Sequence, residues 1–230
     1  MAAPLVEAAI QRMRQLIASG EWRSGHRLPP EPELSLQLGV SRSSTREAVR
    51  ALVAARVLDV RRGDGTYVTS LSPELLLEGI GVAVELMHED AILEVIEARR
   101  VIEPELTALA AQRADATQLA GIRHHLALMR AETDHAALVR HDSDFHASVA
   151  RASGNATLAA ILIGLSSQTL RARVWRGLVE TNADQRTVAE HAAIYAAIEA
   201  GDPALAAAAA LVHVSTTENW VRGTVAAQHA

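Results

Sequence analysis

The sequence predicts a mainly α protein in two parts. A small front part holds three helices and a β-hairpin, and an all-α antiparallel bundle of six or seven helices follows it. Three observations carry that reading. Apolar residues recur at helical spacing almost throughout, and a period of two appears only in Leu58–Arg61 and Thr66–Thr69. Composition is globular, 49% apolar and 21% charged, with only 3% aromatic residues and abundant alanine, which suits helices packed through small side chains. Charge is divided along the chain: residues 1–70 hold 10 Arg against 7 Asp and Glu, a net of +3, while residues 71–230 hold 12 Arg against 20 acids, a net of −8. Only the front part is therefore suited to a polyanion.

The elements follow in order. Leu5, Val6, Ala9, Ile10, Met13, Leu16 and Ile17 make one amphipathic helix, and Gly20 stops it. Trp22 sits in a short polar loop and is expected to plug a small core. Pro29, Pro30 and Pro32 bar continuous helix, and the next helix starts at about Pro32 and ends at Leu38. After the Gly39-Val40 break a third helix runs from about Ser41 to Ala55. Ser41 or Ser44 can cap it, and Ser44 with Glu47 fits a capping box. Its apolar stripe is Val40, Ala48, Val49 and Leu52. Arg42, Arg46 and Arg50 recur every fourth residue and form a second, cationic stripe.

Helix, short turn, helix, with arginines on the second helix, is the layout of a DNA-reading helix-turn-helix. An ordinary amphipathic helix with a solvated basic face has the same pattern. The two alternating runs flank Arg62-Gly63-Asp64-Gly65, and Arg61 and Arg62 lie at the hairpin tip, where phosphate or the minor groove is in reach. Three helices and a basic hairpin make a winged helix-turn-helix. The expected domains are 1–70 for this unit, a linker at 71–73, and 74–230 for the helical domain. Its helices are expected at 73–87, 90–113, 116–133, 135–152, 155–178, 184–200 and 203–222, with Asp90 and Asp202 as caps.

Arg140 to His146 is the stretch richest in chemistry. Asp142 and His146 are four apart, so on a helix they lie about 40° apart and one turn along. His191 falls on the apolar side of Val188, Ile194, Tyr195 and Ile198, and His213 lies among Leu211, Val212 and Val214. Three helices could bring one carboxylate and three imidazoles to one interior point, a set suited to zinc, nickel, cobalt, manganese or iron. On spacing alone a surface Asp–His pair and satisfied core histidines are the commoner outcome. Arg99 lies with Arg100 in one apolar helix, and Arg171 and Arg173 lie in another. Each is open to two roles: an ion pair with Glu97, Glu103 or Glu190, or a clamp for an acidic ligand.

Taken together these residues resemble GntR-type transcription regulators of the FadR-like branch, with the all-helical FCD effector domain. The resemblance covers nearly the whole chain. It rests in front on Leu28-Pro29, Glu31, Leu34, Gly39-Val40-Ser41-Arg42, Arg46-Glu47-Ala48-Val49, Leu52, Leu58 and Arg62 to Val68. Behind, it rests on Glu97-Ala98-Arg99, Glu103-Pro104, Asp142 to His146, Ser153-Gly154-Asn155, Glu190-His191 and Gly201-Asp202-Pro203. The resemblance implies that Arg42 and Arg46 contact bases and phosphates, with Thr45 between them on the same exposed face, and that Gly63 at the wing tip enters the minor groove; with Ser41, Arg50 and Arg62 these are the expected DNA-binding residues. It implies that Asp142, His146, His191 and His213 hold a divalent metal, zinc first, and that Arg99 meets an effector carboxylate; Arg171 and Arg173 are expected as further effector-binding residues from the clamp reading above. The helix expected before Asp90 looks like the seven-helix version of the domain. Two departures stand out: Pro30-Glu31-Pro32 replaces Ser-Glu-Arg, removing a DNA-holding arginine, and Arg56 takes a position that is commonly glycine.

The expected function is a dimeric, ligand-controlled transcription regulator, a repressor in type. It would bind a near-palindromic operator and sense a small carboxylate such as a sugar acid or hydroxy acid. A metal-free acyl-CoA sensor and a metal-dependent hydrolase are the alternatives. There is no Cys, which excludes disulfides, thiolate metal sites and a cysteine nucleophile. A cytoplasmic location and no membrane partner are expected, because no signal pattern or long apolar run is present.

Overall fold

A computed structural model describes residues 2–87, 91–166, 180 and 182–228. The chain divides into two compact units, Met1–Leu76 and Leu77–Ala230.

The first unit opens with α1 (Ala2–Ala18), whose buried face is Ala9, Met13 and Leu16. Gly20 ends the helix with φ +79°, donating to the Ile17 carbonyl. Trp22 is buried and its ring stacks on His26 at 5.7 Å and 14°. Next, α2 (Glu31–Leu38) carries Pro32 in its first turn and stops at Gly39, φ 68°. Ser41 caps α3 (Arg42–Ala54), accepting from the Ser44 amide at 3.2 Å. Ser44 is thus inside the helix and buried, so the capping box with Glu47 does not form.

The exit of α3 is a Schellman turn. Val57 N–H donates to Leu52 O at 2.9 Å and Arg56 N–H donates to Val53 O at 3.0 Å. Arg56 occupies the left-handed position, φ 59°, which is why glycine is common there: a side chain in this region costs about 1–2 kcal/mol. The hairpin follows as β1 (Leu58–Arg61) and β2 (Gly65–Val68), antiparallel, with Leu58 opposite Val68 and Arg61 opposite Gly65. Leu28 N–H and Val68 N–H exchange bonds with Thr66 O and His26 O, so residues 26–28 run along β2. Leu28, Leu34, Leu52, Leu58 and Val68 close the core with Met13 and Trp22.

After α4 (Pro73–Leu76) the second unit begins with α5 (Gly79–Glu85). The single helix expected over 73–87 is broken at 77–78, beside Gly79 and Gly81, where helix propensity is lowest. The remaining helices are α6 (Ile92–Arg113), α7 (Ala116–Ala131), α8 (His135–Ala152), α9 (156–166), α10 (Ala183–Glu199) and α11 (Pro203–Gln228). Their starts are written in short polar residues. Asp115 and Gln118 form a capping box on α7, Asp134 accepts from Ala137 N, Asn155 from Leu158 N and Asp202 from Leu205 N. Asp90, Arg171, Arg173 and the expected helix beyond 166 lie outside the described residues.

Phe145, Ile122, Leu126, Met129, Ile194 and Ile198 fill the centre of this unit, with Ala206 and Ala210 letting α11 approach closely. Gly164 of α9 serves a close approach too: a β-carbon there would meet Ile80 Cγ2 at 3.0 Å. No described helix is long and apolar enough to cross a membrane.

Candidate functional site

Two sets of residues carry chemistry, one in each unit. In the first unit Ser41, Arg42, Arg46, Arg50, Arg62 and Gly63 are all exposed, the last two in the hairpin turn, where Gly63 has φ 76°. The spacing of four that aligns Arg42, Arg46 and Arg50 turns all three away from Ala48 and Leu52. Arg46 is steered by Glu31 at 2.8 Å, a contact between half-exposed groups. The hairpin turn is fixed as well. Tyr67 O–H donates to Asp64 at 2.8 Å, Arg61 lies 4.2 Å over the Tyr67 ring, and Arg27 bonds to Asp64.

Thr45 is a correction. It was expected on the exposed face with the arginines, but it is 1% exposed and its hydroxyl donates to Ser41 O at 3.0 Å. The reason is periodic: residues 45, 48 and 52 lie three and then four apart, so Thr45 heads the inward stripe.

In the second unit Asp142 and His146 project from α8, His191 from α10 and His213 from α11, and all four are buried. One ligand atom from each lies within 4.8 Å of every other. Each imidazole is held from outside the cluster by its Nδ1. His191 Nδ1 faces Thr187 O at 2.7 Å, His213 Nδ1 faces Glu190 Oε2 at 2.8 Å, and His146 Nδ1 lies 2.5 Å from Glu103 Oε1. All three facing atoms are acceptors, so each Nδ1 carries the proton and each Nε2 presents a lone pair inward. His146 and His191 bring Nε2 atoms to 3.1 Å, and His191 Nε2 lies 2.9 Å from Asp142 Oδ1.

Three imidazole lone pairs and a carboxylate facing one another repel unless a cation sits among them. This donor set, with an acceptor behind each imidazole, fits a divalent d-block ion. Burial, joined by the charge of His191 and opposed by the Glu190 bond, pushes His213 down to about 3. A neutral imidazole is the form that can ligate. Phe145 packs edge-on against His191 at 4.7 Å and fixes its ring.

Arg99 is buried in the ion pair that was one of its two expected roles. Nε and a terminal nitrogen reach Glu103 Oε2 at 3.1 and 2.8 Å. Burial pushes the Glu103 carboxyl up, but Arg99 and then His146 outweigh it and hold the group well below its ordinary value. Glu103 therefore remains an anion with one oxygen on Arg99 and the other on His146. The sequence named Glu103 and Glu190 only as arginine partners. Their turn toward histidines depends on α6 lying against α8 and α10 against α11, which spacing within one helix does not report.

Comparison with known proteins covers both units. Residues 5–68 match the gntR family of bacterial regulatory proteins, and residues 94–216 match the FCD domain. The chain is 31% identical over 214 residues to the HTH-type transcriptional regulator LutR of Bacillus subtilis (strain 168), covering 90% of this chain and 97% of that one. It is 30% identical over 207 residues to the galactonate operon transcriptional repressor of Escherichia coli (strain K12), covering 87% and 90%. Among solved structures, Streptococcus agalactiae GntR superposes with a TM-score of 0.70 at 28% identity, covering 93% of this chain and 99% of that one. The chain therefore belongs to the GntR family of bacterial transcription regulators, with an FCD effector-binding domain after its winged helix, and is a regulator rather than an enzyme.

Proposed function

We propose that this protein is a metal-assisted carboxylate sensor of the FadR-like branch that acts on transcription as a homodimer. Two copies of α3 would enter successive major grooves of a near-palindromic operator. Arg42, Arg46 and Arg50 would contact phosphates and base edges, with Ser41 at the start of the helix and Arg62 and Gly63 at the minor groove. Thr45 supports that surface from within. In the helical domain Asp142, His146, His191 and His213 would hold a divalent ion, zinc first, with nickel, manganese, cobalt or iron also suited to the donor set. Bound there, the ion supplies a Lewis-acidic centre for an effector carboxylate. Arg99 holds Glu103 in place behind His146; Arg171 and Arg173, which lie outside the described residues, would be the further candidates to meet the effector carboxylate.

The observation that carries this reading is the tautomer argument: three Nδ1 atoms are tied to acceptors, so three Nε2 lone pairs converge on one carboxylate. A small hydroxy acid or sugar acid is the effector class. Such an acid can give the ion a hydroxyl beside its carboxylate, and the galactonate repressor among the relatives acts on an operon named for a sugar acid. Effector binding would change operator affinity by the ratio of its affinities for the two states.

Thermal-shift screening of small carboxylates, with and without added zinc, tests the sensing half, since a ligand that binds only the folded state raises its melting point. A rise that needs both metal and carboxylate is expected. Elemental analysis showing no bound metal, with acyl-CoA rather than small acids raising the melting point, replaces this reading with the metal-free one. Gel shift on operator fragments tests the DNA half, and binding that does not discriminate sequence removes it.

A further inference from the structure

A second cluster of donors lies on the same helix as the buried set but on a different side of it. His141 and Asp144 are three apart on α8 and share one face. His125 on α7 meets them there. One ligand atom from each of the three lies within 4.8 Å of the other two, with both histidines half-buried and Asp144 exposed. None of these residues belongs to the sensing pocket or to the DNA surface.

The site has a second mark besides proximity. His125 Nδ1 is closed off from solvent and, among the described residues, has no hydrogen-bond partner. A buried polar nitrogen without a partner is uncommon, because it costs the desolvation of the group with nothing in return. Burial pushes the His125 imidazole below its ordinary value; Asp144 opposes this, and His124, His141 and Arg151 add to it. Glu132 contributes further negative charge, with Oε2 3.9 Å from His141 Nε2 and Oε1 pinned by the amides of Thr133 and Asp134.

We propose that His125, His141 and Asp144 form a second, outer site for a divalent transition-metal ion. Two imidazoles and one carboxylate leave the remaining coordination positions to water. Imidazole donors favour copper, nickel, zinc or iron over magnesium and calcium. The outer site is the weaker of the two: it is partly open to water, and Glu132, 3.9 Å from His141, stands farther off than the acceptors behind the buried imidazoles. His141 is the sequence neighbour of Asp142, so one turn of α8 carries donors for both ions.

The test is calorimetric titration of untagged, chelator-stripped, full-length protein with zinc alone, repeated with calcium. Two zinc ions per chain in two separable steps, and none of calcium, are expected. His141→Gln and Asp144→Asn should each weaken the second step by about tenfold or more and leave the first step unchanged. Asp144 is exposed, so its variant gives a reading even where a histidine variant folds poorly. His191→Ala should remove the first step and keep the second. That separates this proposal from the sensing reading, because either step can be lost without the other. Wild-type protein that takes one zinc, all of it lost in His191→Ala, overturns the outer site. Two steps that both survive His141→Gln and Asp144→Asn unchanged also overturn it.

Discussion

Arg46 and Arg99 show how differently the two units use one kind of side chain. Arg46 is 55% exposed and meets a half-exposed Glu31; Arg99 and Glu103 are each 3% exposed. In the first unit the charged groups stand on the surface of an apolar core and can be changed with little consequence for folding. In the second they lie inside it, and the imidazoles, carboxylates and guanidinium depend on one another. An exposed pair contributes about 0–1 kcal/mol, whereas removing one member of a buried pair costs about 3–5 kcal/mol. Stability and function are therefore separable in front and entangled behind.

That contrast can be broken by substitution, beginning with the largest effect. His191→Ala is expected to abolish metal binding at the buried site. The stability that zinc adds should then shrink by about 4 kcal/mol when zinc stands at a thousand times the buried site's dissociation constant, leaving only what the outer site contributes. Differential scanning with and without chelator reads it; an undiminished zinc-dependent rise in the variant contradicts the site. Glu103→Gln keeps the shape but leaves Arg99 without its counter-charge. It should cost about 3 kcal/mol and weaken the ion about 10- to 100-fold, measured by denaturant titration and competition with a chromogenic chelator.

The front unit should respond in the opposite manner. Arg42→Ala and Arg50→Ala are expected to lower operator affinity by about 1–3 kcal/mol where the side chain meets a base, or to reduce the salt slope by about one where it meets a phosphate. Each should change stability by no more than about 0.5 kcal/mol. Gel shifts over a salt series, paired with melting curves, separate the two effects. Thr45→Val gives the smallest change and sharpens the boundary between surface and core. It removes the bond to Ser41 O and should cost about 1 kcal/mol while leaving the salt slope alone. A slope that falls with this variant would return Thr45 to the DNA surface.

Much of this was legible in the sequence where one helix contains the whole signal. The caps at Ser41 and Asp202 need only neighbours three residues away, and the pairing of Asp142 with His146 needs only one turn. The Gly79 region misled because apolar spacing continues through 73–87 while the backbone breaks at 77–78. Thr45 departs from the expectation because nearness to Arg46 in sequence is not a shared face: it heads the inward stripe with Ala48 and Leu52. The acceptors behind His146 and His213 were illegible for another reason. Glu103 and His146 are 43 positions apart, and only the packing of α6 on α8 brings them together. The same holds for His125 with His141, which as sequence are two unremarkable helix-boundary residues.

The left-handed Arg56 has a consequence for engineering. A helix exit that prefers glycine is built here with a long cation, so the reading head stands below the stability its own backbone permits. Arg56→Gly should release part of that strain, on the order of 1 kcal/mol, at a residue outside the Arg42, Arg46 and Arg50 stripe. That reserve gives a margin in which recognition residues could be redesigned without unfolding the scaffold that presents them.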